Sequence, residues 1–253
     1  MSEEKIGLIY QPCGLGDILF IQKIAHHIKG LGFQVYWPVV HELSWLNNYI
    51  SDFNFISWDT KENPLPSPPL SDDINFPYKD FYSPNNSTTI TDSLFFFQGF
   101  INAEKIMAGK YNSINLDWSD WRDYIIFNRD IEKENELFYN VLNLNDNDEY
   151  IFVNRKYGTR PNVMQFSGLD HIFHNQNTKI VEMNIIDGFS LFDWIKVLEN
   201  AKEIHIIETS LNYLLESPQL FEKIKDKPLH LYHRYGFFHE VDYLFKLPWN
   251  YIL

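Results

Sequence analysis

The stretch Gln11-Pro12-Cys13-Gly14-Leu15-Gly16-Asp17 decides the fold. The apolar run Ile6-Gly7-Leu8-Ile9-Tyr10 precedes it, and an amphipathic segment from Ile18 to Lys29 follows. That order predicts strand, glycine turn, helix. Gly14 and Gly16 carry no Cβ, so the backbone can turn tightly and approach a ligand. The helix behind them offers free N–H groups and the positive end of its dipole, which favours an anion such as phosphate. Asp17 stands where a carboxylate caps N–H groups or faces a ligand. The turn is neither a dinucleotide fingerprint, which needs glycine where Leu19 stands, nor a Walker loop, since no Gly-Lys-Ser/Thr follows.

Outward from this turn the pattern alternates. Ile18, Ile21, Ile24, Ala25 and Ile28 recur at helical spacing, and Gly30 or Gly32 closes that helix. Strands are expected over Phe33 to Val40 and Phe53 to Trp58, with a short helix from His41 to Ile50 between them. This β-α-β-α-β order belongs to a parallel sheet. The segment from Lys61 to Asn86 holds six of the twelve prolines and reads as a surface excursion. Ile90 to Met107 is expected to be a helix, and Asp130 to Leu144 a charged amphipathic one. The polar run Asn143-Leu144-Asn145-Asp146-Asn147-Asp148 is the expected boundary, giving units 1–146 and 147–253. A second alternation follows. Strands are expected at Tyr150 to Asn154, Lys179 to Met183, Glu203 to Ile207 and Pro228 to His233. Helices are expected over Ser190 to Asn200, Thr209 to Ser217 and Phe238 to Phe245.

Composition sets limits. In 253 residues, 45% hydrophobic and 17% aromatic, a large core is available. A formal charge of -13 argues against broad nucleic-acid binding. The single cysteine, Cys13, allows no internal disulfide and reads as a small buried filler rather than a nucleophile. No signal peptide or membrane-spanning run is visible, so a cytoplasmic protein is expected.

The run Gly14-Leu15-Gly16-Asp17-Ile18-Leu19 resembles the opening of lipopolysaccharide heptosyltransferase-type glycosyltransferases, glycosyltransferase family 9. In the second half, Asp187-Gly188-Phe189-Ser190-Leu191 and the Asn200-Ala201-Lys202 turn are similar to that family as well. So is Glu208-Thr209-Ser210, at the place of its Asp-Thr-Gly phosphate turn. The resemblance covers about 17–40 and 150–217 in pattern. It implies an α/β chain of two Rossmann-like domains facing a cleft, the GT-B architecture, with a compact second domain. The first would be the acceptor side and the second the nucleotide-sugar side. Two departures stand out: Ser210 replaces the family's glycine, and Tyr213 stands where a histidine is usual.

What the resemblance implies is a metal-independent glycosyltransferase. Its donor would be a nucleotide-activated sugar and its acceptor a glycan or lipid-linked saccharide, with no cofactor. Asp17 would be the base, since the family places its carboxylate at this position of the turn; a plain helix cap is the alternative. Gly14, Gly16, Arg155, Lys156, Glu208, Thr209 and Ser210 would hold the donor phosphates, Arg155 through its planar fork. Glu182 and Met183, ending a strand, would meet the nucleoside. Two other readings stay open: a sugar-nucleotide epimerase or hydrolase on this fold, and a non-catalytic binding protein. No metal ligands are expected. His230 and His233 lie three apart on a strand and so face opposite ways. His233-Arg234-Tyr235 could line the cleft, and Trp118 and Trp121 among Asp117, Asp120 and Asp123 could face a sugar or be buried. Self-association is left open.

Overall fold

The structure, a computed structural model, describes residues 4–58, 86–99, 106–158, 163–174, 178–234 and 241–252. The proline-rich excursion lies, except for Asn86, outside them. The chain divides into two compact units, Met1–Asn128 and Arg129–Leu253. That division falls ahead of the polar run 143–148. The intervening helix belongs to the second unit, where Arg129 holds both Glu134 (Nε–Oε1 2.8 Å) and Glu199 (Nη1–Oε1 2.7 Å).

In the first unit, β1 (Ile6–Tyr10) leads into α1 (Leu15–Phe20) and α2 (Gln22–Gly30). These two helices are one expected helix interrupted at Ile21, whose ψ of 10° leaves the helical range. Next come β2 (Gln34–Val40), a 3-10 segment (His41–Asn48), β3 (Asn54–Trp58), β4 (Thr89–Ile90), β5 (Leu94–Gln98) and α3 (Ile106–Asn112). The sheet order is β3-β2-β1-β5-β4, parallel except for β4. Every residue of β1 is buried, and α2 packs tightly on it: a Cβ on Gly7 would lie 2.5 Å from Ile28 Cγ2. On one face Ile6, Leu8, Tyr10, Leu94 and Phe96 form a cluster, joined by Tyr36 and Ile56.

The expected helix over 90–107 is a correction. Leu94-Phe95-Phe96-Phe97-Gln98 is a strand beside β1, buried along its whole length. A strand covered on both faces is apolar throughout, so it lacks the alternation that would separate it from a buried helix.

The second unit opens with α4 (Ile131–Asn135), which widens into π-helical turns over Glu136–Val141. Asp130 caps it, accepting from Lys133 N at 3.1 Å. The strands are β6 (Tyr150–Asn154), a small ribbon of β7 (Lys156–Tyr157) and β8 (Met164–Gln165), β9 (Lys179–Glu182), β10 (Glu203–Ile207), β11 (Leu229–Tyr232) and β12 (Asn250–Ile252). The helices are α5 (Ile195–Asn200), α6 (Ser210–Leu215), α7 (Pro218–Ile224) and α8 (Val241–Leu244). The main sheet runs β12-β11-β10-β6-β9, all parallel. Four of these elements were not foreseen: the β7–β8 ribbon, α7 and β12. Helix α7 follows α6 after a break at Ser217, with Pro218 at its first position, where the missing N–H costs nothing. Strand β12 adds an edge beside β11. Among the described residues no helix is long and apolar enough to cross a membrane.

Both sheets change direction at their first strand. In the first unit β2 lies on one side of β1 and β5 on the other; in the second β9 and β10 flank β6. Open α/β sheets bind ligands beyond the carboxyl ends of strands at such switch points. The Gln11–Asp17 turn follows β1, and Arg155 and Glu208–Ser210 follow β6 and β10.

Candidate active site

In the first unit the turn is fixed from several sides. Gln11 is 1% exposed. Its carbonyl accepts from Trp37 Nε1 at 3.0 Å, and its Nε2 donates to the Cys13 carbonyl at 2.6 Å. Val40 N donates to the Pro12 carbonyl at 2.8 Å, which ties the turn to the end of β2. Gly14 is the residue before α1, with φ 77°, and no side chain caps the helix. A Cβ on Gly14 would lie 2.5 Å from Asp17 Oδ2. Gly14 is therefore required by its dihedral and by the carboxylate folded over it.

Asp17 lies within the first turn of α1 and does not cap it; Oδ1 instead pairs with Lys110 Nζ. Lys110, on α3, is 1% exposed and also donates to Gln11 Oε1 at 3.0 Å. The Asp17 side chain is 35% exposed, so one oxygen is anchored inward while the group still reaches solvent. Sequence reading missed Lys110. A basic residue on a helix 93 positions away gives no local signal of that pairing. Burial pushes the Cys13 thiol up, the Asp17 charge adds to this, and Lys110 opposes it. Cys13 is half-buried, not fully buried as the filler reading expected.

In the second unit Arg155 binds another expected residue, Glu182, and the others bind their own neighbours. Arg155 Nε donates to Glu182 Oε1 at 2.8 Å, its Nη1 pairs with Asp170, and its guanidinium lies 4.3 Å from the Phe173 ring centre. Lys156 Nζ reaches Asn184 Oδ1. Met183 N donates to the Val153 carbonyl at 2.8 Å. Tyr235 lies outside the described residues, as does Arg160, a further cation near Arg155 in the sequence.

Thr209 caps α6 reciprocally. Its Oγ1 accepts from Leu211 N at 3.3 Å, and its own N–H donates to Asn212 Oδ1 at 2.9 Å. Asn154 Nδ2, from the end of β6, lies 3.5 Å from Thr209 Oγ1 across the switch point. Glu208 pairs with the buried His233 at 3.1 Å. Tyr213 packs edge-on against Phe245, with centroids 5.1 Å apart. In the aromatic run of the first unit, Trp121 is fully buried against Phe20 while Trp118 is half-buried, and the neighbouring Asp120 pairs with Lys23.

With this geometry in place, the fold can be set beside solved structures. One is the glycosyl transferase family 9 structure from Veillonella parvula DSM 2008. The match covers 99% of this chain and 86% of that one, with a TM-score of 0.57 and 9% identity. The chain shares the fold of a family 9 glycosyltransferase. A second is the iron-containing dodecameric glycosyltransferase TibC from enterotoxigenic E. coli H10407, with a TM-score of 0.50 and 9% identity; the chain spans 63% of that protein's length. A third, the E. coli heptosyltransferase WaaC with ADP-2-deoxy-2-fluoro heptose, matches more loosely, with a TM-score of 0.45 at 12% identity over 90% of this chain and 88% of that one. No protein-family model and no curated protein sequence matches the chain. The family 9 likeness therefore rests on the fold, and it agrees with the resemblance in the Gly14–Leu19 and Glu208–Ser210 turns.

Proposed function

We propose that the chain is a glycosyltransferase. It would move a sugar from a nucleotide-activated donor to a glycan or lipid-linked saccharide acceptor, with no metal at the transfer step. The observation that carries this reading is Asp17: a carboxylate at the switch point of the first sheet, anchored through one oxygen by a buried lysine and partly open to solvent. The shared family 9 fold supports it. In the reaction, the acceptor hydroxyl oxygen bonds to the anomeric carbon as the bond from that carbon to the diphosphate breaks. The hydroxyl proton passes to Asp17, and the nucleoside diphosphate leaves with the bonding pair. Lys110 holds the carboxylate in place for that proton. The first turn of α6, with Thr209 and Ser210, would hold the diphosphate through backbone N–H groups.

One observation favours the non-catalytic alternative. Arg155, the cation expected at the diphosphate, is already neutralised by Glu182 and Asp170. Transfer by the unaltered chain separates the two, and Asp17→Asn then tests the base. For an enzyme, losing the general base lowers transfer by about 10²–10⁴-fold, while nucleotide affinity holds. Unchanged transfer in Asp17→Asn removes Asp17 from the mechanism.

A further inference from the structure

A second cluster of chemistry-bearing side chains lies on the main sheet of the second unit, away from the residues assigned to transfer. Glu203 and His205 are two apart on β10, so they project from the same face. His230 is the register partner of His205 on the adjacent parallel strand β11. The three side chains therefore meet. Glu203 Oε1 lies 2.7 Å from His205 Nε2 and 3.0 Å from His230 Nε2. One donor atom from each residue lies within 4.8 Å of the others.

The far side of each ring is also held. His205 Nδ1 lies 3.0 Å from the Tyr232 hydroxyl, and His230 Nδ1 lies 3.1 Å from the Asn250 side-chain nitrogen. Outer partners on Nδ1 leave Nε2 as the inward nitrogen, which is how metal-ligating histidines are oriented. Tyr232 can accept from Nδ1–H, and Asn250 can do so by turning its amide to present Oδ1.

We propose that Glu203, His205 and His230 bind a divalent transition metal of the zinc class. Two imidazoles and one carboxylate suit such an ion and leave a fourth position open to water. Metal–ligand bonds of about 2.0–2.1 Å in a tetrahedron separate donor atoms by about 3.3 Å, so the two Glu203–histidine distances open by a few tenths of an ångström while the rings draw together. The rings now stack 4.2 Å apart and 8° from parallel. Binding tilts them toward one another about χ2, a soft torsion. The ion would tie β10 to β11. Glu203 opens β10, and Glu208 and Thr209 follow its far end.

The test is a calorimetric titration of the metal-stripped full chain with Zn²⁺, repeated with Co²⁺ and read by visible absorption. The expected result is one saturable site per chain with the spectrum of a four-coordinate ion. His230→Ala and the near-isosteric Glu203→Gln should each weaken it more than tenfold, and Tyr232→Phe by about 10–100-fold as an outer-shell change. His27→Ala should leave it unchanged. Circular dichroism confirms that each variant is folded. No saturable binding, or an affinity indifferent to both Glu203→Gln and Tyr232→Phe, overturns the proposal and leaves a hydrogen-bonded Glu-His-His cluster.

Discussion

The ammonium of Lys110 is buried against the Asp17 carboxylate, and Gln11 Oε1 takes a second of its N–H bonds at 3.0 Å. One cation thus fastens the first turn of α1 and the end of β1 to α3. Removing one partner of a buried pair strands the other, at about 3–5 kcal/mol. Lys110→Met should fall at or below the low end of that range, because Asp17 is partly exposed. Asp17→Asn in the same chain should recover part of the loss. Denaturant unfolding of the two single variants and the double variant gives the coupling directly; purely additive losses would mean that the pair does not act as one.

Gly14 meets two constraints at once. A side chain at φ 77° costs about 1–2 kcal/mol on backbone grounds alone. The new Cβ would also push Asp17 Oδ2 away from its position. Gly14→Ala should therefore lose stability by at least that amount and lose transfer as well. Gly30→Ala is the control, since nothing lies within 4 Å of its added Cβ. Thermal unfolding and a transfer assay on both variants check this.

Thr209 is the cap of α6 and a proposed neighbour of the donor phosphates. Losing the cap costs about 0.5–2 kcal/mol. If Thr209 also shapes the diphosphate site, Thr209→Ala lowers nucleotide affinity beyond its effect on unfolding. Thr209→Ser keeps the hydroxyl oxygen and should restore both. Isothermal titration beside a melting curve separates the two roles.

Acid should destabilise the first unit through His26. Burial lowers this imidazole against the upward pull of Asp52, and it packs on Phe53 at 4.8 Å between centroids. Its folded value is depressed, so near pH 6 the unfolded chain binds more protons than the folded one. The resulting stability is present above about pH 6.5 and is lost as pH falls through the folded value. His26→Phe should flatten the fall in melting temperature between pH 7.5 and pH 5. It should not abolish the fall, because His205 in the second unit is also held down by burial. An unchanged slope would remove His26 as a contributor.

Local signals carried most of the fold. The α2 spacing was readable because burial on one face leaves a periodic trace, and β1, though buried throughout, because the Gly14–Asp17 turn and that helix follow it. The strand Leu94–Gln98 was not, because a chain buried on both faces has no period to read. Long-range pairings were likewise hidden. Lys110 meets Asp17, and Arg155 meets Glu182 and Asp170, only after the chain has folded. The histidine cluster shows the same limit. Counting along the chain set His230 against His233, whereas the relevant neighbour of His230 is His205, one strand away. The Glu203-Ile204-His205 spacing was visible, but the register that completes the cluster was not.

A fold that handles a nucleotide-activated sugar binds the nucleoside diphosphate that the sugar leaves behind. Thermal-shift measurements with UDP, GDP, ADP, CMP and dTDP, first without metal and then with Mg²⁺, test it most directly. A ligand that binds only the native state raises the melting temperature. A clear rise is expected with one nucleoside diphosphate, independent of Mg²⁺. No rise with any of them, in either condition, would contradict it and leave a binding scaffold without a donor site.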